Sequence, residues 1–490
     1  MKFLLLLFLV SPLAAVAGIL LGLPAKRLAV LSGLVNLAAA LALFFVIDPA
    51  HTEYQLVFSM PCIRLQDFFA IDFKIGADGL TLCMLLLTSL VGLAALAVSP
   101  EKIRRGREFY ICLLLIIFGA VGAFLSIDLF FLYIFHEVAL IPTFLLIGIW
   151  GGQDRKFAAT QLTIYLAAGS LVLLAGLLAF YFALPVGARS FDLEAIRSTL
   201  LANPLGAAQQ KFIYPLLLAG FGILISLWPF HSWAPQGYAA APAPVAMLHA
   251  GVLKKFGFYG LIRLVVPFLP LALHMRGYAA LLGLLLLGNV ILTGLVTLNQ
   301  RDLNLMLGYS SVMHMGFLFL GFLSMSVIGL TGVVVLMVAH GLSAALLFGL
   351  SGEIRERAGS TTLTDLGGLG HKTPVLTFLF ILGGLASLGM PGLGNFAGEI
   401  MIFFGAWHSY PWLTALVLWG IVISAVYMLR AIRNIFFGEP GRASVEVTDL
   451  YRWSQRWPYV MLALALLVLG VCPSLLITHI KPFIISLRGL

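Results

Sequence analysis

The sequence predicts an all-α integral membrane protein of about fourteen transmembrane helices. Three observations carry that prediction. Of the 490 residues, 61% are hydrophobic and only 10% are charged, against about 25% charged in a soluble globular protein; the mean hydropathy is +1.06. The apolar runs are close to the roughly 20 residues that a helix needs to cross a bilayer. The basic residues behind the net charge of +9 lie mostly in short loops between those runs, where they set orientation. No basic stripe with interleaved aromatics occurs, which argues against a nucleic-acid partner.

Apolar runs set against polar breaks place the spans near 3–23, 28–47, 79–98, 109–126, 128–150, 157–184, 212–236, 242–268, 278–298, 303–324, 327–350, 373–404, 411–434 and 457–479. Met1-Lys2 and the apolar run after it resemble a signal peptide. The run continues to Leu23 without a persuasive cleavage site, so it reads as a retained first helix. Two connections are long, 48–78 and 185–211; the second holds Phe191-Asp192-Leu193-Glu194-Ala195-Ile196, an amphipathic surface helix. Lys26 and Arg27, the Lys102–Arg107 cluster, Arg155 and Lys156, Arg301, Arg355 and Arg357, and Arg430 and Arg433 all follow odd-numbered helices. The positive-inside rule then puts those loops in the cytoplasm and both termini outside, as expected of a multi-pass protein of a bacterial inner (plasma) membrane. Cys62, Cys83, Cys112 and Cys472 are scattered without metal or disulfide spacing.

Two spans are interrupted. The seventh reads Ser226-Leu227-Trp228-Pro229-Phe230-His231-Ser232-Trp233-Ala234-Pro235, and the twelfth Gly389-Met390-Pro391-Gly392-Leu393-Gly394-Asn395. Proline removes a backbone donor and glycine weakens a helix, so each interruption frees polar backbone groups. In hydrocarbon those groups have to be buried in protein or meet water. Breaks five helices apart suggest two five-helix repeats, helices 4–8 (109–268) and 9–13 (278–434), and such paired breaks point to an ion path. The alternative is that both are only kinks.

Ionisable residues inside the spans are the strongest functional signal, because a charge at the helix centre costs roughly 2.5–3.5 kcal/mol even on modest scales. Glu137 lies mid-way along the fifth span in Phe135-His136-Glu137, where a carboxylate is protonated or partnered by a cation or water. Lys254 and Lys255 lie in the eighth. Successive helical residues point about 100° apart, so one lysine suits a relay and the other is left to snorkel or to pair with a carboxylate. His249 stands nearly two turns before Lys255, close enough to share its hydrated column. His314 in the tenth span and His340 in the eleventh can each accept and donate a proton. Glu399, just past the twelfth-helix break, is either the end of the path or a helix-end carboxylate facing solvent. Zinc is disfavoured because the histidines lack a second ligand at a helical offset.

These residues also fall into a pattern that resembles the antiporter-like subunits of respiratory complex I, with most in common with the subunit M, or chain 4, type. The resemblance rests on Phe135-His136-Glu137-x-x-Leu140-Ile141-Pro142 with Ile147-Gly148-Ile149-Trp150-Gly151-Gly152, on Trp228–Trp233, on Lys255 with Gly257 and Tyr259–Arg263, on Tyr309–Gly316, and on Leu388–Glu399. It implies fourteen helices with two inverted five-helix repeats, proton translocation, no cofactor bound by this subunit, and partners among the other membrane subunits of such a complex. By motif, Glu137, Lys255 and Glu399 match the family's fifth-, eighth- and twelfth-helix ionisable residues, and His314 and His340 its central histidines.

The pattern also departs from the family. Leu224 stands where the family carries a lysine that partners the fifth-helix glutamate, Pro235-Gln236 replaces Pro-Asp, and Asp302-Leu303-Asn304 replaces Asp-x-Lys. Lys254, His136 or His249 then has to serve Glu137, or the first half-channel works differently; His231 in the break is a further accessory. The chain has no dinucleotide fingerprint and no cysteine cluster for iron–sulfur ligation, so redox chemistry is expected in other subunits. The competing expectations are a subunit of a multi-subunit sodium/proton antiporter or membrane-bound hydrogenase, and a channel-impaired structural spacer.

Overall fold

The computed structural model describes residues 3–65, 69–444 and 447–488. Two apolar helices, α1 (Phe3–Leu20) and α2 (Ala25–Val46), precede a hairpin of β1 (Gln55–Leu65) and β2 (Phe69–Ala77). Next come α3 (Gly79–Val98), α4 (Gly106–Leu125), α5 (Leu129–Trp150), α6 (Arg155–Ala183), the short α7 (Leu193–Ala202), α8 (Ala207–Ile225) and α9 (Trp233–Ala240). Two long helices follow, α10 (Ala243–Phe268) and α11 (Arg276–Leu298). The chain then forms α12 (Leu303–Ser324), α13 (Val327–Ala358), α14 (Pro374–Ser387), α15 (Gly394–Trp407), α16 (Pro411–Phe436), α17 (Trp453–Val471) and α18 (Ser474–Arg488).

Among the described residues thirteen helices are long and apolar enough to cross a membrane. Together α14 and α15 supply a fourteenth, interrupted crossing. The protein is therefore an integral, multi-pass membrane protein. Its apolar rim confirms this from outside: Phe157, Ile164, Leu171 and Phe182 on α6, and Trp412, Trp419, Val426 and Leu429 on α16, are all exposed. Such bands face lipid, where a soluble fold would bury them. By contrast α10 and α13 are enclosed over their whole apolar windows. Helix α13 runs unbroken through the centre, against α3, α10, α12, α14, α15 and α17.

The structure corrects the end of the last span and adds two features. The long 48–78 connection holds the hairpin: β1 and β2 pair antiparallel, with Phe58 opposite Ile75 and Ser59 opposite Lys74. Ile71, Phe73 and Ile75 alternate with Asp72 and Lys74, a strand period. Pro61 in the partner strand breaks that reading, and it sits at a register shift. The last span ends at Val471, before Pro473, and α18 is a separate helix rather than its continuation. Both α10 and α11 carry π segments, at His249–Leu253 and Leu261–Val265 and at Gly288–Leu292, single-turn irregularities that recur at functional sites.

At one end of the bundle the hairpin, the 126–128 connection and α7 are stitched together. Ile127 N–H donates to the Lys74 carbonyl (3.0 Å), Leu193 N–H to that of Ile127 (2.9 Å), and Leu129 N–H to that of Phe191 (2.9 Å). Helix α7 buries Leu193, Ile196 and Leu200, as its amphipathic sequence predicts. Lys74 donates to Asp192 (2.7 Å) and to Glu194. Burial alone lowers the Lys74 ammonium, but those two carboxylates outweigh it and hold it above its ordinary value. Beneath this layer Arg263 of α10 is clamped to Asp78, the N-cap of α3, and to Thr81 Oγ1 (2.8 Å). Its guanidinium lies 5.0 Å from the Tyr54 ring, 4.9 Å from Tyr259 and 4.7 Å from Phe483 of α18. A buried ion pair of this kind fixes one arrangement of its elements more than it adds stability, since removing one partner leaves a desolvated charge.

Asp128 caps α5 by accepting from Phe130 N–H (2.8 Å) and Phe131 N–H (3.1 Å), and burial pushes its carboxyl up to about 7. An unfolded aspartate titrates near about 4. With the folded value raised, its contribution is complete below that pH and is lost as pH rises through about 7. Asp128→Asn keeps an oxygen for the cap and cannot ionise. The variant is expected to flatten the fall in thermal stability between about pH 4 and pH 7, measured in detergent; an unchanged slope would show that Asp128 is not the group responsible.

Candidate functional site

Breaking a helix inside hydrocarbon exposes donors and acceptors, and the site is built around the groups that recapture them. Helix α8 ends at Ile225, with Ser226 in the left-handed region (φ 68°). Asn289, in the π segment of α11, recaptures two groups of the break with one amide: its Oδ1 accepts from Trp228 N–H (2.8 Å) and its Nδ2 donates to the Ser226 carbonyl (3.0 Å), while Nδ2 also donates to the Val312 carbonyl of α12 (3.0 Å). Trp233 Nε1 donates to the Ile223 carbonyl (3.1 Å). At the second break His314 has the same duty, with Nε2 2.9 Å from the Ser387 carbonyl at the end of α14 and Nδ1 2.7 Å from that of Ser310. Carbonyls only accept, so His314 holds both bonds only while both ring nitrogens carry hydrogen.

Next to His314 lies His340 of α13, its ring 5.3 Å away between centroids. Lys255 Nζ reaches His340 Nδ1 at 3.1 Å and the Ala250 carbonyl, within the π segment, at 2.6 Å. Lys254 neither snorkels nor meets a carboxylate, contrary to expectation: it is fully buried, donates to Ser311 Oγ (3.2 Å), and lies 5.4 Å from the Tyr238 ring. The two lysines thus diverge, as consecutive helical residues should, one toward α13 and one toward α12. Between these helices is a void of ≈ 10 Å³, bordered by Ser310, Ser311, His340, Ser343 and Ser387. That is the scale of a single water with several polar partners.

Glu399 does not face solvent. It is buried against the second break, where its Oε1 has no hydrogen-bond partner among the described residues. A Cβ built on Gly389 would come 2.1 Å from Glu399 Oε2, and Gly389 has φ +72°, so glycine is required twice over. Glu399 and His314 thereby attend the same break, within two residues of each other along it.

Glu137 stands apart, on α5, with 31% of its side chain exposed on the outer flank. Leu224 is buried and offers it nothing. Of the three substitutes the sequence left open, the structure puts His136 beside it, Nδ1 to Oε1 3.3 Å, and adds Ser170 Oγ at 2.5 Å. Lys254 bonds elsewhere. His249 does not share a polar column with Lys255: both its ring nitrogens lack partners among the described residues, and it packs on Trp233 and Tyr238. His231 is half-buried against the Tyr309 ring. The residues that sequence reasoning missed are Asn289, Ser170 and the serines of the void. Only Ser310-Ser311, inside a motif already quoted, carried any signal.

With this geometry in view, comparison with known proteins is informative. The family described as NADH:quinone oxidoreductase/Mrp antiporter, transmembrane, matches residues 126–424. An NAD(P)H-quinone oxidoreductase chain 4 of a Picosynechococcus species is 36% identical over 417 residues, covering 84% of this chain and 74% of the relative. NADH-quinone oxidoreductase subunit M of Rickettsia bellii is 31% identical over 448 residues, covering 91% and 88%. Among solved structures, a chain of respiratory complex I from Thermus thermophilus with bound NADH superposes with a TM-score of 0.88 at 28% identity, covering 99% of each chain.

Asn289→Leu removes the amide that serves the first break. Each buried polar group left unpaired costs about 1–3 kcal/mol. The variant is expected to melt at lower temperature and to lower the amount of folded protein in the membrane, while Asn289→Gln recovers part of the loss. Wild-type melting of the leucine variant would show that the break is held by other contacts.

Proposed function

Because the chain belongs to the NADH:quinone oxidoreductase/Mrp antiporter transmembrane family, we propose that it is a proton-translocating membrane subunit of an NADH:quinone oxidoreductase, with the redox chemistry in other subunits. The observation that carries this reading is the buried set Lys255–His340–His314, with His340 bordering the void and Glu399 on the second helix break that His314 also serves. Lys255 is the central carrier, hydrogen-bonded to His340; His340 passes the proton to His314, whose ring lies 5.3 Å away between centroids; Glu399 is the terminal acid or base. A proton gained or lost at His314 makes or breaks a bond to the end of α14, so protonation here is coupled to the geometry of the break. Lys254 is an accessory that joins the same void through Ser311.

The two helix breaks, each recaptured by one side chain from a neighbouring helix, support two inverted repeats over 109–268 and 278–434. The basic loops support an orientation with both termini outside, in a bacterial inner membrane. The family takes in both quinone oxidoreductase subunits and Mrp antiporter subunits; relatives at 36% and 31% identity named as quinone oxidoreductase subunits favour the first.

A second reading has one observation behind it. Glu137 meets His136 and Ser170 rather than a lysine, and Leu224 is buried where the cation is expected, so the first half is either driven through His136 or impaired.

In inverted membrane vesicles energised with NADH, Lys255→Ala and Glu399→Gln are each expected to lower proton pumping several-fold with assembly retained. Normal pumping in both would end the relay assignment. In the same vesicles Glu137→Gln separates the two readings of the first half: strong loss means that His136 suffices as its partner, and unchanged pumping means that this half is not a required path.

A further inference from the structure

The central void has walls of unequal chemistry, and the difference has a direction. Ser311 and Leu307 of α12 border it, as do Ser343 and Leu347 of α13. Helical spacing puts Asn304 three residues before Leu307, and Ser351 four residues after Leu347, on the same facing stripes. There Ser351 Oγ donates to Asn304 Oδ1 at 2.5 Å, and both residues are buried. The α12–α13 contact is therefore layered: a polar pair toward the end that carries Arg301 in its loop and Arg355 in the last turn of α13, then two leucines, then the serines and His340 beside the lysines.

An amide bonded to a hydroxyl inside an apolar helix contact has no packing advantage over a hydrocarbon pair, and its remaining hydrogens and lone pairs need partners. Near the loops water can supply them. Two leucines below are enough to keep that water from the void, because hydrophobic constrictions gate by dewetting. We propose that the α12–α13 contact is a gated inlet to the relay, in which Asn304 and Ser351 form the outer station, Leu307 and Leu347 the gate, and Ser311, Ser343 and His340 the inner station. Its use for protons rests on the proposed function; its existence as an aqueous route does not. A small parting of α12 from α13 would join the stations and let a proton reach Lys254 through Ser311, or Lys255 through His340.

Solvent access tests the route directly. The four cysteines are first replaced by alanine, and single cysteines are introduced at Ser351 and Ser343 in the assembled complex. The probe is a membrane-impermeant trimethylammonium thiosulfonate, added to one side of the vesicles at a time, with Arg301→Cys marking the basic-loop side. Ser351→Cys is expected to react at least tenfold faster from that side than from the other. Ser343→Cys is expected to react slowly, and at least tenfold faster once Leu347→Ala, or Leu307→Ala from the opposite wall, opens the gate. An unreactive Ser351→Cys, reaction from the opposite side, or a Ser343→Cys rate unchanged in both alanine backgrounds would overturn the inlet. Pumping separates the two levels. Asn304→Leu should lower it several-fold, as Lys255→Ala does. Loss with Lys255→Ala but not with Asn304→Leu defeats the inlet alone, whereas normal pumping with Lys255→Ala defeats the relay reading and leaves the labelling result standing.

Discussion

In hydrocarbon there is no water to finish a hydrogen bond, and the inner architecture of this protein follows from that one constraint. A helix interrupted at membrane depth is tolerated only where some other group takes over the freed N–H and C=O. Asn289 does so at the first break and His314 at the second. The two solutions differ in a consequential way. An amide is a fixed set of donors and acceptors, so the first break is held in one state. An imidazole changes its donor count with protonation, so the second break is held by a group whose bonding depends on a proton. A structural duty and a chemical one fall on the same side chain.

The same constraint explains why the charges converge. Lys254 and Lys255 are fully buried, and each takes a polar group on a different neighbour, Ser311 on α12 and His340 on α13. Because α13 runs unbroken through the centre, it brings His340 and Ser343 to the lysines and, two turns on, Ser351 to Asn304. The Ala250 carbonyl that steadies Lys255 lies in the π segment of α10. These contacts give both lysines and His314 partners inside the protein. Together they leave a void at the point where the partners meet.

Outside the hydrocarbon the structure is held by different means. The hairpin, the 126–128 connection and α7 share backbone hydrogen bonds, and Arg263 with Asp78 locks α3, α10 and α18 beneath them. This layer fixes the ends of the helices on whose middles the relay residues sit. Glu137, by contrast, faces outward from the flank, with a histidine and a serine as its local partners. Its surroundings are those of a group at an edge of the molecule rather than at its centre.

By itself the sequence determined that the chain crosses the membrane about fourteen times, because span length and composition are local properties read against a fixed bilayer thickness. It also determined where two crossings are interrupted and which ionisable residues lie at depth, since proline, glycine and charge in an apolar run are conspicuous one residue at a time. Pairing was beyond it. That Lys255 bonds His340 while Lys254 bonds Ser311, that His136 and not His249 stands beside Glu137, and that Asn289 holds a break sixty residues earlier all depend on how helices far apart in the chain are rotated and packed. The hairpin within 48–78 was hidden for a related reason: a strand is stabilised by its partner across the sheet, and Pro61 in β1 masked the partner of the alternating stretch Ile71–Ile75. Only the tertiary structure decided these, because a polar group in hydrocarbon is satisfied by whichever neighbour packing brings within 3 Å or so, and no local pattern records which neighbour that is.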